Sequence, residues 1–151
     1  MESVRTKAAA GIEVGDSFTV RRVFTEADTA AFGDLTRDYN PVHYDCGFAE
    51  LKGFPRLICH GLLVGSLITE LGGQIGWLAT DMSFRFKAPV FAGDTVTCRL
   101  TVTDIGARGR ASARAVLTNQ HGVTVVEAAV GGYLPGPAER ELLARMADRR
   151  S

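Results

Sequence analysis

Asp38-Tyr39-Asn40-Pro41-Val42-His43-Tyr44-Asp45 packs an acid, a histidine and a proline-fixed bend into eight residues. Proline fixes its own φ and pushes the preceding Asn40 out of the helical region, so the chain turns sharply between Asp38 and His43. That bend can bring the two side chains together. A carboxylate and an imidazole sharing one small volume hold a water between them and move its proton near neutral pH. This is acid–base chemistry that needs neither a metal nor an organic cofactor. Taken alone, the same stretch also reads as an ordinary turn, with Asp38 or Asn40 bonding nearby amides and His43 solvated or packed.

The elements that must position this pair flank it on both sides. Upstream, Thr25-Glu26-Ala27-Asp28 has the form of a helix N-cap with acids in the first turn. Ala30, Ala31, Phe32 and Leu35 then supply an apolar stripe that ends near Arg37 and delivers Asp38 at the helix end. Downstream, a short helix is expected around Phe48-Ala49, and Lys52-Gly53-Phe54-Pro55 reads as loop. Ile58-Cys59-His60-Gly61 opens the run Leu62 to Leu71, which is apolar on nearly every face and predicts a helix surrounded by protein, stopped by Gly72-Gly73.

Beyond that helix the period changes to two. Met82, Phe84 and Phe86 alternate with Asp81, Ser83, Arg85 and Lys87, and Val96, Cys98, Leu100 and Val102 alternate with threonines and Arg99. Ala111, Ala113, Ala115 and Leu117 follow a Gly106–Gly109 turn, with small residues that leave room for a helix to approach. A last strand runs from Val123 to Leu134, its pattern slipping near Val126 as at a bulge. Asp16 to Phe24 predicts an opening strand, and the tail from Ala138 has helical spacing without chemistry. Short antiparallel connections after one buried helix imply an α+β layer arrangement, with an antiparallel sheet curled around the helix. Such a sheet leaves edges that a second copy would cover, so a homodimer is expected.

At 151 residues the chain fits one domain. Seventeen basic and seventeen acidic residues cancel without a long run of either sign, which excludes an electrostatic grip on nucleic acid or anionic lipid. No segment has the form of a signal peptide or a membrane span, and a cytoplasmic location is expected. Cys46, Cys59 and Cys98 include no C-x-x-C pair and read as reduced thiols, not as a disulfide framework or a zinc knuckle. Cys59 beside His60 reads as a small buried side chain, since neighbours in sequence rarely point the same way. His43, Asp45 and His60 have no recognised metal-ligand spacing, so no metal is expected.

The ordered set Asp38-x-Asn40-Pro41-Val42-His43-x-Asp45, Phe48-Ala49, His60-Gly61 with Ser66, and Phe86-x-x-Pro89-Val90-x-x-Gly93-Asp94-Thr95 resembles the MaoC-like, R-specific enoyl-CoA hydratases of the hot-dog fold. The similarity spans roughly residues 15 to 134, with 1–12 and 137–151 as extensions of a single 1–151 domain. It implies a long central helix wrapped by an antiparallel sheet, in a homodimer or dimer of dimers. By resemblance, Asp38 and His43 activate the water that adds to a trans-2-enoyl thioester. The amide of Gly61 stabilises the developing enolate, and Ser66, Asn40 and His60 are the substrate-binding candidates. The substrate is an acyl-CoA or acyl-carrier-protein thioester, and no cofactor is implied. Cys46 departs from the pattern, standing where many relatives have proline. Leu51, Phe54, Leu57 and Trp77 are candidates for measuring acyl length, and Arg85, Lys87, Arg108 and Arg110 for holding phosphates. Two other functions fit a hot-dog domain: a thioesterase using Glu70 or Asp38, and an acyl-binding partner subunit without turnover.

Overall fold

A computed structural model describes residues 2–149; Met1 and residues 150–151 of the extensions lie outside it. Among the described residues five strands form one antiparallel sheet: β1 (Ser17–Val23), β2 (Leu78–Phe86), β3 (Thr95–Ile105), β4 (Arg110–Thr118) and β5 (Thr124–Tyr133). Their order across the sheet is β1-β3-β4-β5-β2, which leaves β1 and β2 at the edges. The period-two pattern is obeyed on the inner face, where Val96, Cys98, Leu100 and Val102 of β3 and the alanines of β4 are buried. The slip near Val126 is a real irregularity, since Leu117 pairs with Val126 but Thr118 with Thr124.

One cross-strand row shows why small residues sit in the middle. Phe18 pairs with Leu100, Leu100 with Ala115, Ala115 with Ala128 and Ala128 with Phe84. Large side chains stand at the two ends and two alanines near the centre, so the row is a trough. The central helical segment lies over this trough, with its first part against β5 and its second against β1 and β3.

That segment is jointed. Helices α4 (Gly61–Gly65) and α5 (Leu67–Ile75) meet at Ser66, which keeps helical dihedrals of φ −63° and ψ −14°. The helix also runs past Gly72-Gly73, contrary to the sequence expectation, and ends at Gly76 in the left-handed region (φ 78°). The cause is tertiary. Arg5 donates from Nη2 to the Gly73 oxygen (3.1 Å) and from Nε to the Gln74 oxygen (3.3 Å), satisfying carbonyls that a helix end leaves open. Burial is one-sided as well, because Leu62, Thr69 and Gly73 are exposed on a common stripe while Val64, Leu67, Ile68, Leu71 and Ile75 are buried.

Arg5 belongs to α1 (Val4–Ala10), a helix the sequence reading missed because its charges hide a single buried alanine, Ala8. Helix α6 (Pro137–Asp148) packs against α1, so the two terminal extensions hold one another. Helix α2 (Glu26–Thr36) has the expected Thr25 cap, closed into a reciprocal box with Asp28. Its buried face is Thr29 and Gly33, however, and Leu35 is 83% exposed. The apolar stripe expected through Ala30, Ala31 and Leu35 is therefore corrected: Tyr44 lies against Gly33, and only a residue without a side chain admits it. Helix α3 (Cys46–Leu51) starts at the Asp45 cap. Among the described residues no helix is long and apolar enough to cross a membrane.

Gly65 is a tight helix-to-sheet step, since a Cβ there would stand 2.8 Å from the Phe84 ring, whereas one at Gly73 would meet nothing. Gly65→Val is expected to lower stability by about 1–3 kcal/mol, and Gly73→Ala to raise it by about 0.5–1 kcal/mol. Urea midpoints at unchanged slope would check both.

Candidate active site

Helix α2 ends on Arg37, a non-glycine residue in the left-handed region (φ 59°), which swings the chain into the Asp38–Asp45 stretch. Two successive side-chain turns then shape it. Asp38 Oδ1 accepts the Asn40 amide at 3.2 Å, and Asn40 Oδ1 accepts the Val42 amide at 3.2 Å. Pro41 opens one turn of 3₁₀ helix over Pro41–His43, and Asp45 Oδ1 accepts the Phe48 amide at 2.7 Å. The local bonds of the turn reading are thus present, and they serve to hold the acid and the histidine together. Asn40 is spent on the loop.

His43 is 8% exposed, and its Nδ1 lies 2.8 Å from the carbonyl oxygen of Ile58. A carbonyl can only accept, so the hydrogen is on Nδ1 and Nε2 is left with its lone pair. Burial pushes the proton affinity of this ring below the ordinary histidine value, opposed by the Ile58 bond, lowered again by His60 and raised by Asp38. The ring is therefore uncharged at neutral pH, in the form that accepts a proton. The exposed Asp38 offers a carboxylate oxygen that lies, with one ring nitrogen each of His43 and His60, in a group spanning no more than 4.8 Å. One water bridges such a gap with two hydrogen bonds of about 2.8 Å.

His60 stacks on His43 with centroids 3.8 Å apart and planes inclined by 28°, and its Nε2 donates to the Asp38 carbonyl oxygen at 2.9 Å. The three residues have the donor types of a metal site, but the stack does not suit one. Ring lone pairs lie in the ring planes, and two nearly parallel planes direct them side by side instead of toward a common ion.

Two cavities flank the pair. One of about 430 Å³ is lined by Asp38, His60, Gly61, Phe54, Phe86 and Lys87 among others. The other, of about 410 Å³, is lined by His43, Tyr44, Thr29, Arg56 and Leu57 among others, and the two share Ile58 and Cys59 as their common wall. Gly61 opens the central helix, where first-turn amides have no partner within the helix. A Cβ on it would stand 2.7 Å from the Phe86 ring, so a side chain there would displace that ring.

The remaining candidates divide. Ser66 Oγ donates to the Leu63 oxygen at 2.5 Å and lines neither cavity. Of the acyl-length candidates, Phe54 and Leu57 reach the cavities, Leu51 is 88% exposed, and Trp77 lines a separate hollow beside α5. Of the phosphate candidates only Lys87 is at the site; Arg110 pairs with Asp81 at 3.2 Å, and Arg85 lines a hollow on the outer face of the sheet. Sequence reasoning missed Arg56, Phe32, Tyr44 and the Ile58 carbonyl, none of which carries a spacing signal. Gly93-Asp94-Thr95 is structural, since Asp94 accepts the Phe91 amide (2.9 Å) and the Gln120 side-chain amide (2.8 Å) and so holds the loop behind the cavity wall.

The MaoC like domain family model matches residues 8–125. The chain belongs to this family. The (R)-specific enoyl-CoA hydratase of Aeromonas caviae is 41% identical over 100 residues, which cover 64% of this MaoC-like chain and 75% of that protein. The Rhodospirillum rubrum protein of the same name is 36% identical over 98 residues, covering 62% and 68%. The solved (R)-hydratase from A. caviae superposes with a TM-score of 0.77 at 35% identity, covering 83% of this chain and 98% of that one. An R-hydratase from Pseudomonas aeruginosa in the unliganded form gives 0.76 at 29% identity, covering 84% of each chain. This MaoC-like chain has the hot-dog fold, an α+β arrangement of antiparallel sheet and central helix.

Burial raises the Cys59 thiol above its ordinary value and pushes Cys98 up to about 12, whereas Cys46 is exposed. A thiol-labelling reagent at neutral pH is expected to modify Cys46 alone in the native protein and all three cysteines after denaturation. An NMR titration of the His43 ring is expected to give a midpoint below the ordinary 6.5, since burial disfavours its charged form; a midpoint above 6.5 would contradict the desolvated ring described here.

Proposed function

We propose that this chain is a hydro-lyase that adds water reversibly across the C2–C3 double bond of a trans-2-enoyl thioester, giving the (R)-3-hydroxyacyl thioester. The observation that carries the reading is the Asp38 carboxylate and the His43 imidazole one water apart beside the start of the central helix. The names of the relatives support the reaction and its stereochemistry.

In the proposed mechanism the water donates one hydrogen to Asp38 and the other to the free Nε2 of His43. As its oxygen bonds to C3, His43 Nε2 takes a proton and the thioester becomes an enolate. The enolate oxygen is stabilised by the Gly61 amide at the positive end of the helix, beside the cavity that Asp38 and Gly61 line together. C2 then takes a proton from the protonated pair, and the dehydration direction reverses each step. The chemistry uses no metal and no organic cofactor. An extended thioester runs past the pair, occupying a cavity on each side, with CoA or an acyl-carrier protein as its carrier. Ser66 and Asn40 support the site from their own loops and helix turns, with no assigned contact to substrate.

We also read the chain as a single catalytic domain that works as a homodimer, or a dimer of dimers. Edge strand β2 is unpaired on its outer side and exposes Leu78 and Phe86, which favours a second copy. Three free cysteines, one of them exposed, suit the reducing cytoplasm.

The thioesterase reading is weaker. Glu70 is held by Arg22 at 2.6 Å and lines neither cavity, so it has no path to a thioester carbonyl. The partner-subunit reading requires a closed pocket or a misaligned pair, which the two cavities and the short separation disfavour.

Asp38→Asn and His43→Gln are each expected to lower turnover of enoyl-CoA substrates by about 100- to 10,000-fold while the protein stays folded. A panel from crotonyl-CoA to longer enoyl-CoA thioesters, followed by loss of enoyl absorbance with the product configuration determined, would measure this. Near-normal hydration by either variant removes the mechanism, and release of free thiol from saturated acyl-CoA would favour the thioesterase.

A further inference from the structure

His60 entered as a substrate-binding candidate, yet it is 1% exposed, which leaves little surface for a substrate. What its ring touches is the catalytic pair itself. Its face lies on His43 at 3.8 Å, the Phe32 ring packs on it at 5.0 Å, and Nε2 is 2.9 Å from the main-chain oxygen of Asp38. A carbonyl accepts only, so Nε2 carries the hydrogen. Nδ1 is then the bare nitrogen, and it is buried with no partner.

The bond to Asp38 has no substitute. Residues 38–40 are otherwise bonded only within their own loop and the end of α2: the Asp38 amide to Thr36 Oγ1 (3.3 Å), the Asn40 amide to Asp38 Oδ1, the Val42 amide to Asn40 Oδ1, Tyr39 Oη to Asp34 (3.1 Å) and the His43 amide to the Asn40 oxygen (3.0 Å). Among the described residues, His60 makes the one hydrogen bond that ties this exposed stretch to the central helix. Around His43 the facing groups are the Asp38 carboxylate from the loop after α2, Tyr44 edge-on at 6.4 Å and the His60 ring; Cys46, Arg56 and Cys59 line the same cavity, to which α2 presents Thr29 and the Glu26 carboxylate, and the Phe32 ring backs His60.

We infer that His60 is a positioning residue: its Nε2–H anchors the main chain of Asp38 and its ring backs His43, so that the carboxylate and the imidazole stay one water apart. The inference rests on the hydration reading above, and it assigns His60 no contact with substrate. Its two contacts are separable. Phenylalanine keeps a flat ring against His43 and loses the donor, whereas glutamine keeps a donor and loses the ring.

His60→Phe is expected to lower kcat by about 10- to 100-fold, because misplacement of a catalytic group by about 1 Å costs on that order, with KM held within about threefold. The acid limb of its kcat/KM profile moves only slightly toward higher pH, since the ring that covers His43 is kept and only the lesser electrostatic effect of His60 is lost. His60→Gln is expected to keep kcat closer to normal and to move that acid limb to higher pH, since water reaches the uncovered face of His43 and removes part of the burial that disfavours its charge. In the unmodified protein near neutral pH, ring ¹⁵N spectra are expected to show His60 as the Nε2–H tautomer and His43 as the Nδ1–H tautomer. A rise in KM alone for His60→Phe would make His60 a substrate contact and overturn the inference. So would normal kinetics in both variants, or the opposite tautomer for His60, a result that stands even if neither variant folds. If Asp38→Asn and His43→Gln retain hydration the proposed catalytic pair itself fails; if they lose it and His60→Phe does not, only the positioning role fails.

Discussion

The hydrogen bond from His43 Nδ1–H to the Ile58 oxygen is the interaction on which the site depends. It selects which ring nitrogen is basic and holds the imidazole over a segment that is itself held. The Cys59 amide donates to the Val90 oxygen at 2.8 Å, and the Gly93 amide to the Phe24 oxygen at 2.7 Å. Phe24 precedes the Thr25 cap of α2, and α2 ends where Asp38 begins. The acid and the histidine are thus joined through a closed circuit of backbone bonds. His60 closes that circuit at the Asp38 main-chain oxygen, 2.9 Å from its Nε2.

The sheet contributes a trough rather than a flat floor. Alanines at the centre of the cross-strand row let the jointed helix settle close, and glycines at 61 and 65 accept the Phe86 and Phe84 rings one helical turn apart. Close approach puts the first-turn amides beside the pair, where a developing negative charge would be stabilised. In the proposed mechanism the same packing that holds the fold together sets where charge is received. Arg5 completes this from the far end by satisfying the carbonyls of the helix C-terminus.

Much of this was legible in the sequence. The strands obey a two-residue period because one face is buried, and Thr25 and Asp28 announce a helix start through the bonds they make locally. Other features were not. The extension of α5 through Gly72-Gly73 depends on an arginine nearly seventy residues away, and the buried face of α2 depends on Tyr44 seeking a glycine. Ser66 read as a neighbour of the site, yet its hydroxyl turns back onto its own helix, as serine commonly does when a carbonyl is in reach.

By itself the sequence determined that an acid and a histidine share one proline-fixed bend, that a helix beginning at glycine follows, and that alternating strands must cover it. Each of these is written in local chemistry: a fixed φ, a missing side chain, a period of two. Only the tertiary structure decided the tautomer of His43, the burial of His60 against Asp38, the placing of Lys87 and Arg56 at the two cavities and the joint in the helix. These depend on which distant carbonyl or ring comes within about 3–4 Å, and spacing along a chain does not encode that distance.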